Sequence, residues 1–444
     1  MSPTSPSIAR RCVLILLDGL GDRAHGELND ATPLQAARTP NLDSLAAMGS
    51  SGLLHASRPG RVLPSENAHF AIFGYSADEF PGRGFLEALG AEIAIAPEEV
   101  ALLAHFAALQ ESDNLLLLEK DRPEASDEEA ALVTGAIESF STDQISFRYV
   151  QTGHLDGVVL LNGPVSPHIT DSQCFAEGEP LVEVQPLRTG GPRAARTARA
   201  LKTYLLWCKR VLDAHPVNLA RKEKGLVPVN GLVTQRAGQW KRVEPFSLRW
   251  GLRGISIASG PMYWGLARFI GLDVHRVDDT ARPGMDLCAR LQWVAGHKEQ
   301  YSFFHVHTKA PDQAAHTKNP RNKVAVIEAL DRGLGQVLDR LLDGETMVVV
   351  TADHSTPSAG PLIHSGEPVP IMAIGPGIRR DRVKSFDEVH CAGGALGQLQ
   401  GQDFMYCVLN WLDRAKLQGL MDTPADQPYW PGNRKPFRID EGDI

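Results

Sequence analysis

Three apolar runs each lead directly into groups that can bind a metal ion, and this constrains the fold more than any other feature of the chain. Val13 to Leu17 runs straight into Asp18. Met347 to Thr351 is followed by Asp353 and His354, and Tyr301 to His307 by Asp312 and His316. Short unbroken apolar runs are the pattern of strands buried on both faces of a parallel sheet, because half-exposed strands alternate instead. Between the last two runs, residues 322–342 carry Val324, Ile327, Leu330, Leu334, Val337 and Leu341 at helical spacing. Strand, helix, strand is the parallel crossover unit, so the chain reads as α/β. Gly254 to Ala258 and Ile371 to Ile374 read as further strands. Thr39 opens a helix that runs through Met48 to a stop at Gly49.

Open α/β sheets gather their functional groups outside the carboxyl ends of the strands. Asp312 and His316, four residues apart, share one face of a helical turn. Asp353 and His354 are neighbours that can splay toward one centre from a loop, with His364 ten residues on. The segment Ser65 to His69 adds a hydroxyl. A mixed set of carboxylates and imidazoles suits Mn²⁺, Zn²⁺, Fe or Co better than Ca²⁺. Taken singly, such residues are commonly turn residues or surface pairs, and only their ordered series points to a metal site. His69 reads as a hydrogen-bonded structural histidine and stays outside the ligand set.

At 444 residues the chain is long enough for two domains. Residues 86–225 read as an inserted smaller α+β domain, with residues 1–85 and 226–444 forming the core. A core strand is expected to return near Val227 to Val233. Within the insert, residues 111–150 read as acidic and irregular, and residues 188–199 as a solvated loop rather than an anion clamp. The Ser/Pro-rich residues 1–9 are expected to be loose. A net charge of -8 without a Lys/Arg stripe argues against a nucleic-acid partner. No run approaches the roughly 20 apolar residues of a membrane helix, and the run after Arg11 is too short for a signal peptide. Six scattered cysteines suit a reducing cytoplasm.

Together these motifs resemble the archaeal-type branch of the cofactor-independent phosphoglycerate mutases, in the alkaline phosphatase superfamily. Val13 to Asp22 is similar to that family's first strand and metal aspartate, and Thr32 to Asp43 to a specific signature. Pro64 to His69, followed by Phe73 to Tyr75 and Gly82 to Gly84, resembles its nucleophile loop. His305 to His316, Thr351 to Pro357 and His364 to Pro370 match the remaining metal motifs, and the likeness extends over His215 to Asn218 and on to Gln400.

The resemblance implies an alkaline-phosphatase-like core with a mixed, mostly parallel sheet flanked by helices. It implies two divalent metal ions, Mn²⁺ foremost with Zn²⁺, Co²⁺ or Mg²⁺ as alternatives. One would be held by Asp312, His316 and His364, the other by Asp18, Ser65, Asp353 and His354. Ser65 would form a phosphoserine, with Lys309 and Arg83 as cationic partners of the phosphoryl group. The implied substrate is a small phosphorylated carboxylic acid, interconverted between 3- and 2-phosphoglycerate in the cytoplasm. A homo-oligomer is compatible with the family.

The chain departs from the family pattern at Thr152 to Asn162, where basic residues are missing, and at Thr170 to Phe175. That keeps a phosphatase or phosphonate-related hydrolase on the same core as the alternative. His305 and His307 also prompt a TIM-barrel amidohydrolase, although eightfold repetition is lacking. A non-catalytic binding protein that kept the fold is the remaining contrast.

Overall fold

The computed structural model describes residues 9–142 and 144–439, so the expectation for the chain's Ser/Pro-rich opening lies outside them except at Ala9. The chain divides into two compact units, one formed by residues up to Phe80 and from Val243 onward, the other by Pro81–Arg242.

The first unit is built on an eight-stranded open sheet. Its strands follow the order Asp273–Arg276, Gly254–Ala258, Phe303–Thr308, Arg11–Leu17, Thr346–Thr351, Val369–Ile374, Ser50–His55, Gly397–Gln400. Only Val369–Ile374 runs against its neighbours. Every residue of Arg11–Leu17, Phe303–Thr308 and Thr346–Thr351 is buried, as unbroken apolar runs require. An open, mixed sheet excludes the TIM-barrel reading.

Register then assembles the site. Leu17 pairs with Thr308 and Leu16 with Thr351, all in parallel, so three adjacent strands end at the same edge. Asp18, the helix Ala310–His316 and the Asp353–His354 loop emerge side by side. Ser65 begins the helix Ser65–Ile72, with Pro64 as its N-cap. The helix expected over 322–342 runs Pro320–Gly335, and a separate turn spans Leu338–Leu341.

The second unit holds a six-stranded sheet, antiparallel throughout, packed against the helix Gly191–Asp213. Three expectations are corrected there. The strand near Val227 to Val233 is Gly231–Gln239, and it pairs with Val100–Ser112 of this sheet rather than with the core. Residues 226–242 therefore belong to this unit. Residues 188–199 are no loop: from Gly191 on they are helical, with Pro192 in the first turn and Ala194, Thr197, Ala198 and Leu201 buried along one face. Alanine and arginine are strong helix formers, and this narrow stripe of small side chains gives little hydrophobic signal. Residues 111–150 contain a hairpin strand, Leu115–Asp121, and the helix Asp127–Ile137, which is capped by a Ser126–Glu129 capping box.

A buried lysine fastens the metal-side loops of the first unit. Lys323 has no exposed surface, and its three ammonium protons go to Gly21 O at 2.8 Å, Thr356 O at 2.9 Å and Asp22 Oδ2 at 3.1 Å. Burial alone would raise the Asp22 carboxyl. Lys323, Ser358 and the Arg23 N–H outweigh it and hold the group below the usual carboxylate range. Lys323→Met should cost about 3–5 kcal/mol, because it leaves a buried carboxylate without its cation. The urea midpoint of the first unit is the measurement. The Asp22 contribution is present above the ordinary carboxylate pKa of about 4 and is lost as pH falls below it, so wild type and variant should converge in acid.

Candidate metal centre

Three carboxylates lie almost without exposed surface at the sheet edge, Asp18 at 0%, Asp312 at 1% and Asp353 at 1%. Burial and the two neighbouring carboxylates push the Asp18 carboxyl well above its usual range. Among the described residues, the lysine or arginine paired with one of them is Lys309, whose Nζ is 3.8 Å from Asp312 Oδ2. Close buried anions need more positive charge than one half-exposed lysine provides.

Hydrogen bonding divides the oxygens into anchored and free. Asp353 Oδ1 accepts the Gly19 and His354 backbone N–H groups, both at 3.0 Å, while Oδ2 has no partner. Asp18 Oδ2 is hydrogen-bonded and Oδ1 has no partner. Buried carboxylate oxygens are rarely left alone, so these two orphans fit a cation. The approach of Gly19 is tight: its φ is +66°, and a Cβ there would stand 2.8 Å from Asp312 Cβ. Glycine is required at the first turn after the strand.

The imidazoles have their tautomers set the same way. Thr356 Oγ1 donates to Asp312 Oδ1 at 2.9 Å, so at 3.1 Å it must accept from His354 Nδ1. His354 Nε2 is then bare. It lies 3.0 Å from Ser65 Oγ, 3.2 Å from Asp353 Oδ2 and 3.5 Å from Asp18 Oδ1. His364 Nδ1 donates to Leu63 O at 3.0 Å, which frees its Nε2, 3.6 Å from Asp312 Oδ1. A ring that donates one N–H to protein and presents the other nitrogen bare is the habit of metal-ligating histidine.

Two sets of donor atoms therefore converge: Asp18, Asp353 and His354, and Asp312, His354 and His364. His354 has atoms in range of both, and its ring stacks on His364 with centroids 3.7 Å apart. His316 Nε2 is 3.2 Å from Asp312 Oδ1, but His316 is exposed and does not join the tighter set. His69 donates Nδ1–H to Ser65 O at 2.9 Å and lies 3.4 Å from Asp353 Oδ2. Arg83 opens the helix Arg83–Gly90 of the second unit, where its guanidinium reaches Glu87 at 3.1 Å.

Thr356, Tyr263 and His307 also adjoin these donor groups and are not among the ligand candidates that the sequence offers. His307 left a trace, since alternation sets it and His305 on one side of a strand. Tyr263 left none.

A family model described as the Metalloenzyme superfamily matches residues 10–410. The 2,3-bisphosphoglycerate-independent phosphoglycerate mutase 2 of Methanocaldococcus jannaschii is 39% identical, over 95% of this chain and 97% of its own. A 2,3-bisphosphoglycerate-independent phosphoglycerate mutase of Methanopyrus kandleri is 36% identical, over 93% of this chain and 99% of its own. Among solved structures, the cofactor-independent phosphoglycerate mutase of Thermoplasma acidophilum superposes with a TM-score of 0.62 at 30% identity, covering 91% of this chain and 100% of that one. A protein of Pyrococcus horikoshii superposes with a TM-score of 0.76 at 29% identity, over 93% and 100%.

Proposed function

This chain belongs to the Metalloenzyme superfamily and, within it, to the cofactor-independent phosphoglycerate mutases, and from that membership we propose that it interconverts 3- and 2-phosphoglycerate through a phosphoserine at Ser65. It is a metal-dependent isomerase acting on a small phosphorylated acid. The observation that carries the reading is the meeting of three buried carboxylates, two imidazoles with bare Nε2 atoms and one serine hydroxyl at one sheet edge.

We assign Asp312, His316 and His364 to one ion, and Asp18, Ser65, Asp353 and His354 to the other. Mn²⁺ is the preferred ion, with Zn²⁺, Co²⁺ or Mg²⁺ as alternatives. Bound divalent ions supply Lewis acidity, which acidifies the serine hydroxyl and offsets charge on the phosphoryl oxygens.

The chain's own groups account for the transfer. Ser65 Oγ, its proton already passed to solvent, attacks phosphorus as the alkoxide, and the bond between phosphorus and the substrate's ester oxygen breaks. The leaving oxygen needs a proton, which Lys309 is assigned to give. The neighbouring substrate hydroxyl then attacks the phosphoserine and returns a proton to Lys309, so serine and lysine end as they began. Arg83 is assigned to anion recognition and the second unit to substrate selection. The reading locates the enzyme in the cytoplasm, among glycolytic intermediates.

Incubation with 3-phosphoglycerate and Mn²⁺, followed by phosphorus NMR, is the test. The 2-isomer is expected; free phosphate without isomer would move the assignment to a phosphatase. EDTA should abolish turnover and added Mn²⁺ or Co²⁺ restore it, whereas a chelator-insensitive enzyme contradicts the metal assignment.

A further inference from the structure

We infer that Tyr263 and His307 are positioning residues that aim the Asp18 carboxylate at its ion, an inference that rests on the two-ion reading above. Asp18 Oδ2 accepts two hydrogen bonds, one from the Tyr263 hydroxyl and one from His307 Nε2 at 3.0 Å. Its Oδ1 is buried without a partner, and this is the oxygen 3.5 Å from His354 Nε2. With Oδ2 held from two directions, the carboxylate cannot rotate, and Oδ1 points where the other ligand atoms meet.

The anchor comes from two distant pieces of chain. Tyr263 lies in the helix Pro261–Phe269 and His307 in the strand Phe303–Thr308. Their rings tilt at 35° with centroids 3.9 Å apart, so neither turns without displacing the other. The rings of His69 and His305 stand 5.1 and 5.8 Å from His307 and close the space behind it.

The donors are a phenol hydroxyl and a ring N–H rather than a lysine or an arginine, and that distinguishes orientation from charge pairing. A carboxylate only accepts, so His307 Nε2 carries the proton. A lysine or arginine in either place would neutralise Asp18. A hydroxyl and a ring N–H fix its direction and leave its charge for the cation. Asp353 is oriented by backbone N–H groups, which no side-chain substitution removes. Of these two, Asp18 is the carboxylate whose aim depends on side chains, and mutation can test it.

The test is calorimetric titration of Mn²⁺ into the full chain stripped of metal, comparing wild type with Tyr263→Phe, His307→Leu and His307→Gln. Tyr263→Phe and His307→Leu should each weaken one of two Mn²⁺ sites by about 10–100-fold, the usual cost of losing an outer hydrogen-bond partner, and leave the other unchanged. His307→Gln, which can still present an N–H near the Nε2 position, should recover most of the loss; a purely structural role would give no such rescue. Melting of the metal-free proteins checks folding. If His307→Leu does not fold, Tyr263→Phe, which removes a single oxygen, carries the test. Two unaltered Mn²⁺ affinities in folded Tyr263→Phe would overturn the inference and leave the two-ion reading standing. A wild type that binds no Mn²⁺ would overturn both.

Discussion

Ser65→Ala is expected to lower kcat for isomer formation by a factor on the order of 10⁴–10⁶, the scale seen when an enzyme loses its nucleophile. Ser65 Oγ lies 3.0 Å from the bare Nε2 of His354, at the start of a helix whose interior side chains Ala68, Phe70 and Ile72 are packed in the core. The substitution removes one oxygen and no packing atoms, so the fold should survive and the loss should be chemical. Two measurements separate this from a general defect. Wild type incubated with substrate labelled in the phosphoryl group should carry label after an acid quench, and Ser65→Ala should carry none. Mn²⁺ should still bind the variant, because Asp18, Asp353 and His354 remain. Full turnover in Ser65→Ala without label would remove the covalent route and leave direct transfer to water or to the second hydroxyl, whereas undiminished labelling would move the nucleophile to another residue.

Much of this site is legible in the sequence, and the reason is physical. A strand buried on both faces must be apolar throughout, so Val13 to Leu17 and Met347 to Thr351 stand out, and a charged residue directly after such a strand must lie at the sheet edge. Parallel pairing then brings Asp18 beside Asp312 and Asp353 across 294 and 335 positions. What spacing does not encode is which oxygen is anchored. Tyr263 reaches Asp18 from 245 residues away, through a tertiary contact that no periodicity records. The insert was harder for a related reason. Nothing in the composition of the strand Gly231–Gln239 says which sheet it joins, and only its pairing with Val100–Ser112 assigns it to the second unit. The helix from Gly191 buries alanines in its first turns, so its stripe resembles polar loop composition until the packing partner is present.

Asp353→Asn should separate the two roles of charge at this site, because its effects with and without metal have opposite signs. In the metal-free protein the asparagine carbonyl can take over Oδ1 and accept the Gly19 and His354 N–H groups. Its amide then stands where Oδ2 was, 3.2 Å from His354 Nε2, and can donate to that bare nitrogen. A buried anion beside Asp18 disappears, and with it one of the charges that raise the Asp18 carboxyl. The melting temperature of the metal-free variant should therefore equal or exceed that of metal-free wild type. With Mn²⁺ the order reverses. Wild type should gain about 2.7 kcal/mol at a free Mn²⁺ concentration 100 times its Kd, by mass action alone. The variant should gain far less, since losing a charged ligand weakens binding beyond the roughly 10–100-fold cost of an outer partner. Activity at matched Mn²⁺ should fall with binding. Thermal melts of both proteins in EDTA and in Mn²⁺ give the full comparison. If Asp353→Asn melted below wild type in EDTA and kept its Mn²⁺ shift, the carboxylate would be a structural hydrogen-bond acceptor, and the argument from crowded buried charge to a bound cation would fail at this residue.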